Sequence, residues 1–165
     1  MKIIEKKISV KEYNELTQQV GWGQREESIV DEALDNTFYS VCAYENNQLV
    51  GYGRLIGDRT IFLYVQDIMV IPSCQYKGVG TQIMNAIICK ILSVKQKSPT
   101  LRVYLGASKD REGFYKRFGF TTRLQAGLGA GMIFLKNHEI NECLLILRDG
   151  PDYQNSLINE RMLWV

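Results

Sequence analysis

Apolar residues recur along this chain in two rhythms, and the points where one gives way to the other mark its elements. Ile3 to Ile8 reads as a short first strand. Ser9, with Glu12 three residues on, forms a capping box for a helix. Tyr13, Leu16 and Val20, three and four apart, share one face of it. Gly21-Trp22-Gly23 breaks that helix, and Glu26 to Leu34 reads as a second. Phe38 to Tyr44, a turn at Glu45 to Gln48, Leu49 to Ile56 and a turn at Gly57-Asp58-Arg59 describe an antiparallel meander.

The central stretch follows. Tyr64 to Ile71 is an apolar, β-branched run long enough for a buried strand, ended by Pro72, which lacks a backbone N–H. Ser73 to Lys77 make a polar connection. From Thr81 the spacing turns helical, with Ile83, Ile87, Ile88, Ile91 and Leu92 drawing one stripe. After a polar break at Lys95 to Pro99, Leu101, Val103 and Leu105 alternate with Arg102 and Tyr104 as in a strand. Ser108 or Asp110 is placed to cap a helix through Phe118, with Gly119 as its stop. Phe120 to Leu124 and Met132 to Leu135 are further strand candidates around the glycine-rich Gly127 to Gly131. The order of elements predicts a mixed α/β layer fold: an antiparallel N-terminal meander, a central strand-loop-helix unit, and helices on both faces of the sheet.

The junction between central strand and long helix carries the first chemical signal. Gly78 and Gly80 allow a ligand to approach the backbone closely, and the free N–H groups of a first helical turn suit a phosphate. The stretch is neither a P-loop nor a dinucleotide fingerprint. Gln75-x-x-Gly78-x-Gly80, after a strand ending Ile68-Met69-Val70-Ile71-Pro72, resembles the acetyl-coenzyme A signature of the GNAT superfamily of N-acetyltransferases. Downstream, Phe114-Tyr115-Lys116-Arg117-Phe118-Gly119-Phe120 resembles the FYxxxGF segment that closes the same fold. The resemblance covers residues 1–135, with 136–165 as an extension that packs on its own domain, forms a homodimer contact or walls the acceptor site.

Membership of that family implies a cofactor site over Gln75, Tyr76, Lys77, Gly78, Val79, Gly80 and Thr81 for the diphosphate of acetyl-CoA. It also implies main-chain pairing of the pantetheine arm with Ile68, Met69 and Val70. Tyr115 matches the tyrosine that protonates the departing thiolate, and a phenol with a reference pKa of about 10 is fit to do so. Many members carry asparagine seven residues before this tyrosine; here the position is Ser108. The expected reaction is direct acetyl transfer from acetyl-CoA to a primary amine in a ternary complex. A non-catalytic CoA-binding sensor or partner-binding module is the alternative.

Two residues stand out without belonging to either motif. Asp67 is a carboxylate inside an apolar strand, either a general base for the amine or a structural partner of Arg54 or Arg59. Glu26 and Glu27 are rival bases. Trp22 lies between the N-terminal helices, where this fold lines its acceptor pocket, and reads equally as a ring that stacks on the substrate or one that plugs the core.

Composition narrows the partners. The 165 residues carry a formal charge of +2 with no basic block, which argues against nucleic acid. The N-terminal stretch has no apolar leader-like run, and no long apolar segment suggests a membrane span. Cys42, Cys74, Cys89 and Cys143 lack metal-ligand spacing, so reduced thiols, no metal and a cytoplasmic location are expected. Cys74 beside the loop lacks a nearby histidine to activate it, which disfavours a covalent acyl-enzyme.

Overall fold

Ser9 opens the first helix as its spacing demands: its hydroxyl accepts from the Glu12 backbone N–H at 3.2 Å, and the Glu12 carboxylate accepts from the Ser9 N–H at 2.8 Å. The computed structural model describes residues 1–133; the extension expected over 136–165 lies outside them. The described elements run β1 (Lys2–Glu5), α1 (Val10–Gln19), α2 (Glu27–Asp35), β2 (Tyr39–Glu45), β3 (Gln48–Gly57), β4 (Phe62–Val70), a 3-10 turn (Pro72–Cys74), α3 (Val79–Lys97), β5 (Arg102–Leu105) and α4 (Glu112–Lys116). The strands form one sheet in the order β1-β2-β3-β4-β5. Neighbours are antiparallel except β4 and β5, which are parallel and joined through α3.

Alternation along β3 sorts the helices onto two faces. Tyr52 and Arg54 point to the side of α1 and α2: the Tyr52 ring meets Tyr13 edge-on at 6.2 Å, and Arg54 donates to the Ala33 carbonyl at 2.7 Å. Gly51 and Gly53 turn bare backbone to α3. A Cβ on Gly51 would lie 2.8 Å from Ile83 Cδ1, and one on Gly53 2.7 Å from Ile83 Cγ2. Side chains larger than hydrogen would therefore push α3 off the sheet. Mixed α/β architecture with helices on both faces is what the patterning predicts.

The core stripe of α3 differs from the predicted one by a fraction of a turn. Val79, Ile83, Met84, Ile87 and Ile91 are buried, Ile88 is half-buried and Leu92 is 56% exposed. Leu92 falls one position past the arc that faces the sheet. The helix also starts two residues before Thr81, because Gly78 takes a left-handed conformation (φ +83°) that sets up the first turn.

Other boundaries move for local reasons. The first strand stops at Glu5, and Ile8 is buried in the connection to α1. Neither Ser108 nor Asp110 caps α4. The Ser108 carbonyl accepts from the Arg111 N–H in a turn, and Asp110 sits at φ +64°, outside a capping conformation. The helix itself ends at Lys116, short of Phe118. Phe120 to Leu124 is not a strand, and Met132 and Ile133 are not either; no neighbouring strand is paired with these segments among the described residues.

Met1–Thr122 is one compact unit and Arg123–Val165 a second. In the described part of the second, Arg123 Nε donates to the Gly129 carbonyl at 2.8 Å and closes a glycine-rich turn. No helix among the described residues is long and apolar enough to cross a membrane.

Candidate active site

β4 departs from its neighbours on both sides at the same level. Toward β3, Tyr52 pairs with Met69 and Arg54 with Gln66, so Gly53 alone faces Asp67 and Ile68. This bulge is made possible by Asp67, whose φ of +55° an aspartate tolerates better than a β-branched residue. Toward β5, pairing runs only from Phe62–Arg102 to Val65–Leu105. Past Val65 the two parallel strands separate, and among the described residues the main chain of Ile68 to Val70 has no strand partner on that side.

A cleft of about 820 Å³ occupies the separation. Ile68, Met69 and Val70 line it along β4; Gln75, Tyr76, Gly78, Gly80 and Thr81 line it at the head of α3; Ser108, Arg111, Phe114, Tyr115 and Arg117 form the facing wall. Sequence expectations and geometry thus meet in one place. Two expected residues do not line the cleft: Val79 is buried against the sheet beside Gly51, and Lys77 is exposed outside it.

The head of α3 is built to receive an anion. No side chain caps it, no acidic residue stands in its first turn, and its first intrahelical bond is from Gln82 N–H to the Gly78 carbonyl. The N–H groups of Val79, Gly80 and Thr81 precede that bond and have no helical partner. Gln75 is held by its side chain, which donates to the Val70 carbonyl at 3.0 Å and ties the loop to the strand end. Gly78 leaves open space where a Cβ would stand. Gly80 serves differently: a Cβ there would sit 3.3 Å from the Phe114 ring, so its hydrogen lets the facing wall close in. Arg111 Nη1 donates to the Tyr76 hydroxyl at 3.3 Å across the same cleft, and this guanidinium lowers the pKa of Tyr76 below its ordinary value.

Tyr115 stands in the facing wall with its ring edge-on to Phe114 (5.0 Å) and Phe120 (6.4 Å). Burial raises its pKa above the ordinary phenol value, so the hydroxyl stays protonated at neutral pH.

A smaller cavity of about 280 Å³ adjoins the cleft, sharing Trp22 and Ser108 with it. Its walls are polar: Tyr13 and Thr17 from α1, Gly23 and Arg25 from the following loop, Gln66 and Asp67 from β4, and Gly106. Trp22 is half exposed and placed at the junction rather than in the core. Asp67 Oδ2 accepts from Arg54 Nε at 2.7 Å and from the Tyr13 hydroxyl at 2.9 Å, while Oδ1 accepts from Gln66 Nε2 at 3.0 Å. Its partner is therefore Arg54; Arg59 instead lies over the Phe38 ring. Burial first, and then the Asp67 charge, raise the Tyr13 pKa to about 12. Glu26 and Glu27 line neither cavity, and buried Cys74 lines neither, its thiol lying 3.6 Å from the Glu45 carboxylate.

Several lining residues have no counterpart in the sequence reading. Arg111 lies three residues before the FYxxxGF segment and Arg117 within it, and a pair of arginines there is a usable signal for an anionic ligand. Tyr13, Thr17, Arg25 and Gln66 carried none, since only the fold brings α1, its loop and β4 together.

A five-stranded sheet that splays beside an uncapped helix, with a tyrosine opposite, is the arrangement that the two sequence motifs lead one to expect. Residues 7–136 match the acetyltransferase (GNAT) domain family, and the chain belongs to it. A Prochlorococcus marinus protein named as an uncharacterized N-acetyltransferase ycf52-like is 32% identical over 114 residues, 67% of this chain and 61% of that protein. The chain thus spans less than two thirds of the length of this relative. Among solved structures, a Staphylococcus aureus protein described as a probable acetyltransferase superposes with a TM-score of 0.72 at 26% identity, covering 82% of this chain and 98% of that one. A GNAT family acetyltransferase of Streptococcus pneumoniae gives 0.69 at 26%, covering 83% and 98%.

Proposed function

We propose that this protein transfers the acetyl group of acetyl-CoA directly to a primary amine bound in the smaller cavity. One observation carries the reading: the uncapped head of α3, the unpaired main chain of Ile68 to Val70 and the Tyr115 hydroxyl line one cleft, which meets a second cavity at Trp22 and Ser108. The residues fit the cosubstrate. Orphan N–H groups at Val79 to Thr81 would hold the diphosphate, and Gly78 leaves room for it. The free strand edge offers hydrogen-bond donors and acceptors to the amides of the pantetheine arm.

The chain's own groups then divide the work. A main-chain N–H on the β4 edge stabilises the developing oxyanion as the amine nitrogen bonds to the thioester carbon. As the carbon–sulfur bond breaks, Tyr115 donates its proton to the leaving thiolate and recovers one from solvent. The amine's proton leaves to water at the junction. Asp67, already accepting from three donors, holds the bulge and the floor of the small cavity; water fills the role of base.

Free thiol released from acetyl-CoA, followed against a panel of primary amines, tests the reading. Amine-dependent release supports it. A CoA-induced rise in melting temperature without amine-dependent release would instead favour a CoA-binding sensor, and no rise at all would remove the cradle.

A further inference from the structure

The charges around the smaller cavity do not cancel. Asp67 is the one carboxylate among its described lining residues, and the Arg54 guanidinium behind it neutralises it at 2.7 Å. Tyr13, with its raised pKa, is an uncharged phenol. Arg25 is left, and among the described residues it forms no ion pair.

Arg25 is also held in place. The buried Asn14 side chain clamps its main chain at two points, donating to the Arg25 carbonyl at 2.9 Å and accepting from the Arg25 N–H at 3.1 Å. The preceding residues are anchored by the Trp22 N–H, which donates to the Thr17 carbonyl at 2.9 Å. The other polar side chains are engaged elsewhere: the Tyr13 hydroxyl and Gln66 amide donate to Asp67, and the Thr17 hydroxyl to the Asn14 carbonyl. Beside the Trp22 indole and the Ser108 hydroxyl at the junction, the donor group left in the lining is the planar Arg25 guanidinium, a shape that matches a carboxylate.

We propose that the acceptor is a small amine that also carries a carboxylate, of amino-acid size, with Arg25 binding the carboxylate. This rests on the transferase reading above. The amine must reach the thioester at the Trp22 and Ser108 junction, so the remainder of the molecule occupies the cavity in which Arg25 stands. At about 280 Å³ that cavity falls just below the range of roughly 300–1,000 Å³ that suits drug-sized ligands. An uncompensated cation there disfavours acceptors bearing several positive charges.

The test compares free amino acids with their C-terminal amides, which keep the amine and lose the anion, using thiol release with wild type and Arg25→Gln. Wild type is expected to favour acids over amides by about tenfold or more in kcat/KM. Arg25→Gln should erase that preference by raising KM for the acids, with kcat and the KM for acetyl-CoA nearly unchanged; Arg25→Lys should restore part of it. Equal use of acids and amides by wild type, or an equal loss on both in Arg25→Gln, overturns this inference and leaves the transferase reading standing. Failure to acetylate either series likewise overturns this inference, while the transferase reading then stands or falls on the wider amine panel.

Discussion

Arg54 Nε and Asp67 Oδ2 meet at 2.7 Å across β3 and β4, with only 10% and 4% of their side chains exposed. The pair sits where β4 bulges, and Arg54 continues through Nη1 to the Ala33 carbonyl and the Thr37 hydroxyl at the end of α2. One guanidinium thus fastens the helical layer to the irregular part of the sheet. Breaking it strands a charge in the interior. Asp67→Asn or Arg54→Met should each cost about 3–5 kcal/mol of unfolding free energy, measured by urea denaturation. The double variant should cost clearly less than the two losses added.

Tyr115 makes its prediction through a single atom. Tyr115→Phe keeps the ring against Phe114 and Phe120, so stability should change by less than about 1 kcal/mol. Loss of the acid should lower kcat by about 100-fold. Because burial raises the phenol's pKa, the wild-type alkaline limb should lie above the ordinary tyrosine range, and that limb should vanish in the variant. An unchanged kcat–pH profile would dismiss the acid role.

Two glycines at the head of α3 should fail in different ways. Gly78→Ala places a Cβ on a residue at φ +83°, costing about 1–2 kcal/mol in stability. The same Cβ projects into open space on the cradle and should weaken CoA binding. Gly80→Val crowds the Phe114 ring, prying open the facing wall, and should weaken CoA binding with a smaller backbone penalty. Calorimetric titration with CoA, beside thermal unfolding, separates the two effects.

Acid sensitivity should trace to Glu12. Burial pushes its pKa up, but the Ser9 N–H and hydroxyl, the Tyr44 hydroxyl and the Lys6 ammonium together bring it down to about 2. The folded protein therefore binds this proton more weakly than the unfolded chain. The stabilisation is full above about pH 4.5 and drains away as pH falls toward 2. With solvent screening at a surface site, Glu12→Gln should cost about 1 kcal/mol at neutral pH and flatten the acid limb of the stability curve.

What could be read from the chain and what could not divide along a physical line. Strands with β-branched runs, the Ser9 capping box and the Gln75 to Gly80 loop are set by near neighbours, and they appear within a few residues of where patterning puts them. Elements that depend on distant contacts depart from the local pattern. The segment Phe120 to Leu124 has strand-like composition but no paired neighbour, and α4 stops at Lys116 where Gly119, at φ +86°, turns the chain away. The loop at the head of α3 is legible because it is one contiguous motif. The smaller cavity draws on residues 13, 17, 22, 25 and 67, which nothing short of the folded sheet brings together.

The bare backbone of Gly51 and Gly53 has a consequence for how such a fold diversifies. With Ile83 resting on the main chain itself, the seat of α3 depends on no exchangeable side chain of β3 at that point. The opposite surface of the same strands holds Tyr52 and Arg54, and beyond them the loop that carries Trp22 and Arg25. Substitutions in that loop can reshape the smaller cavity while the head of α3 keeps its registration. The sheet works as a partition between a part that must stay put and a part free to drift.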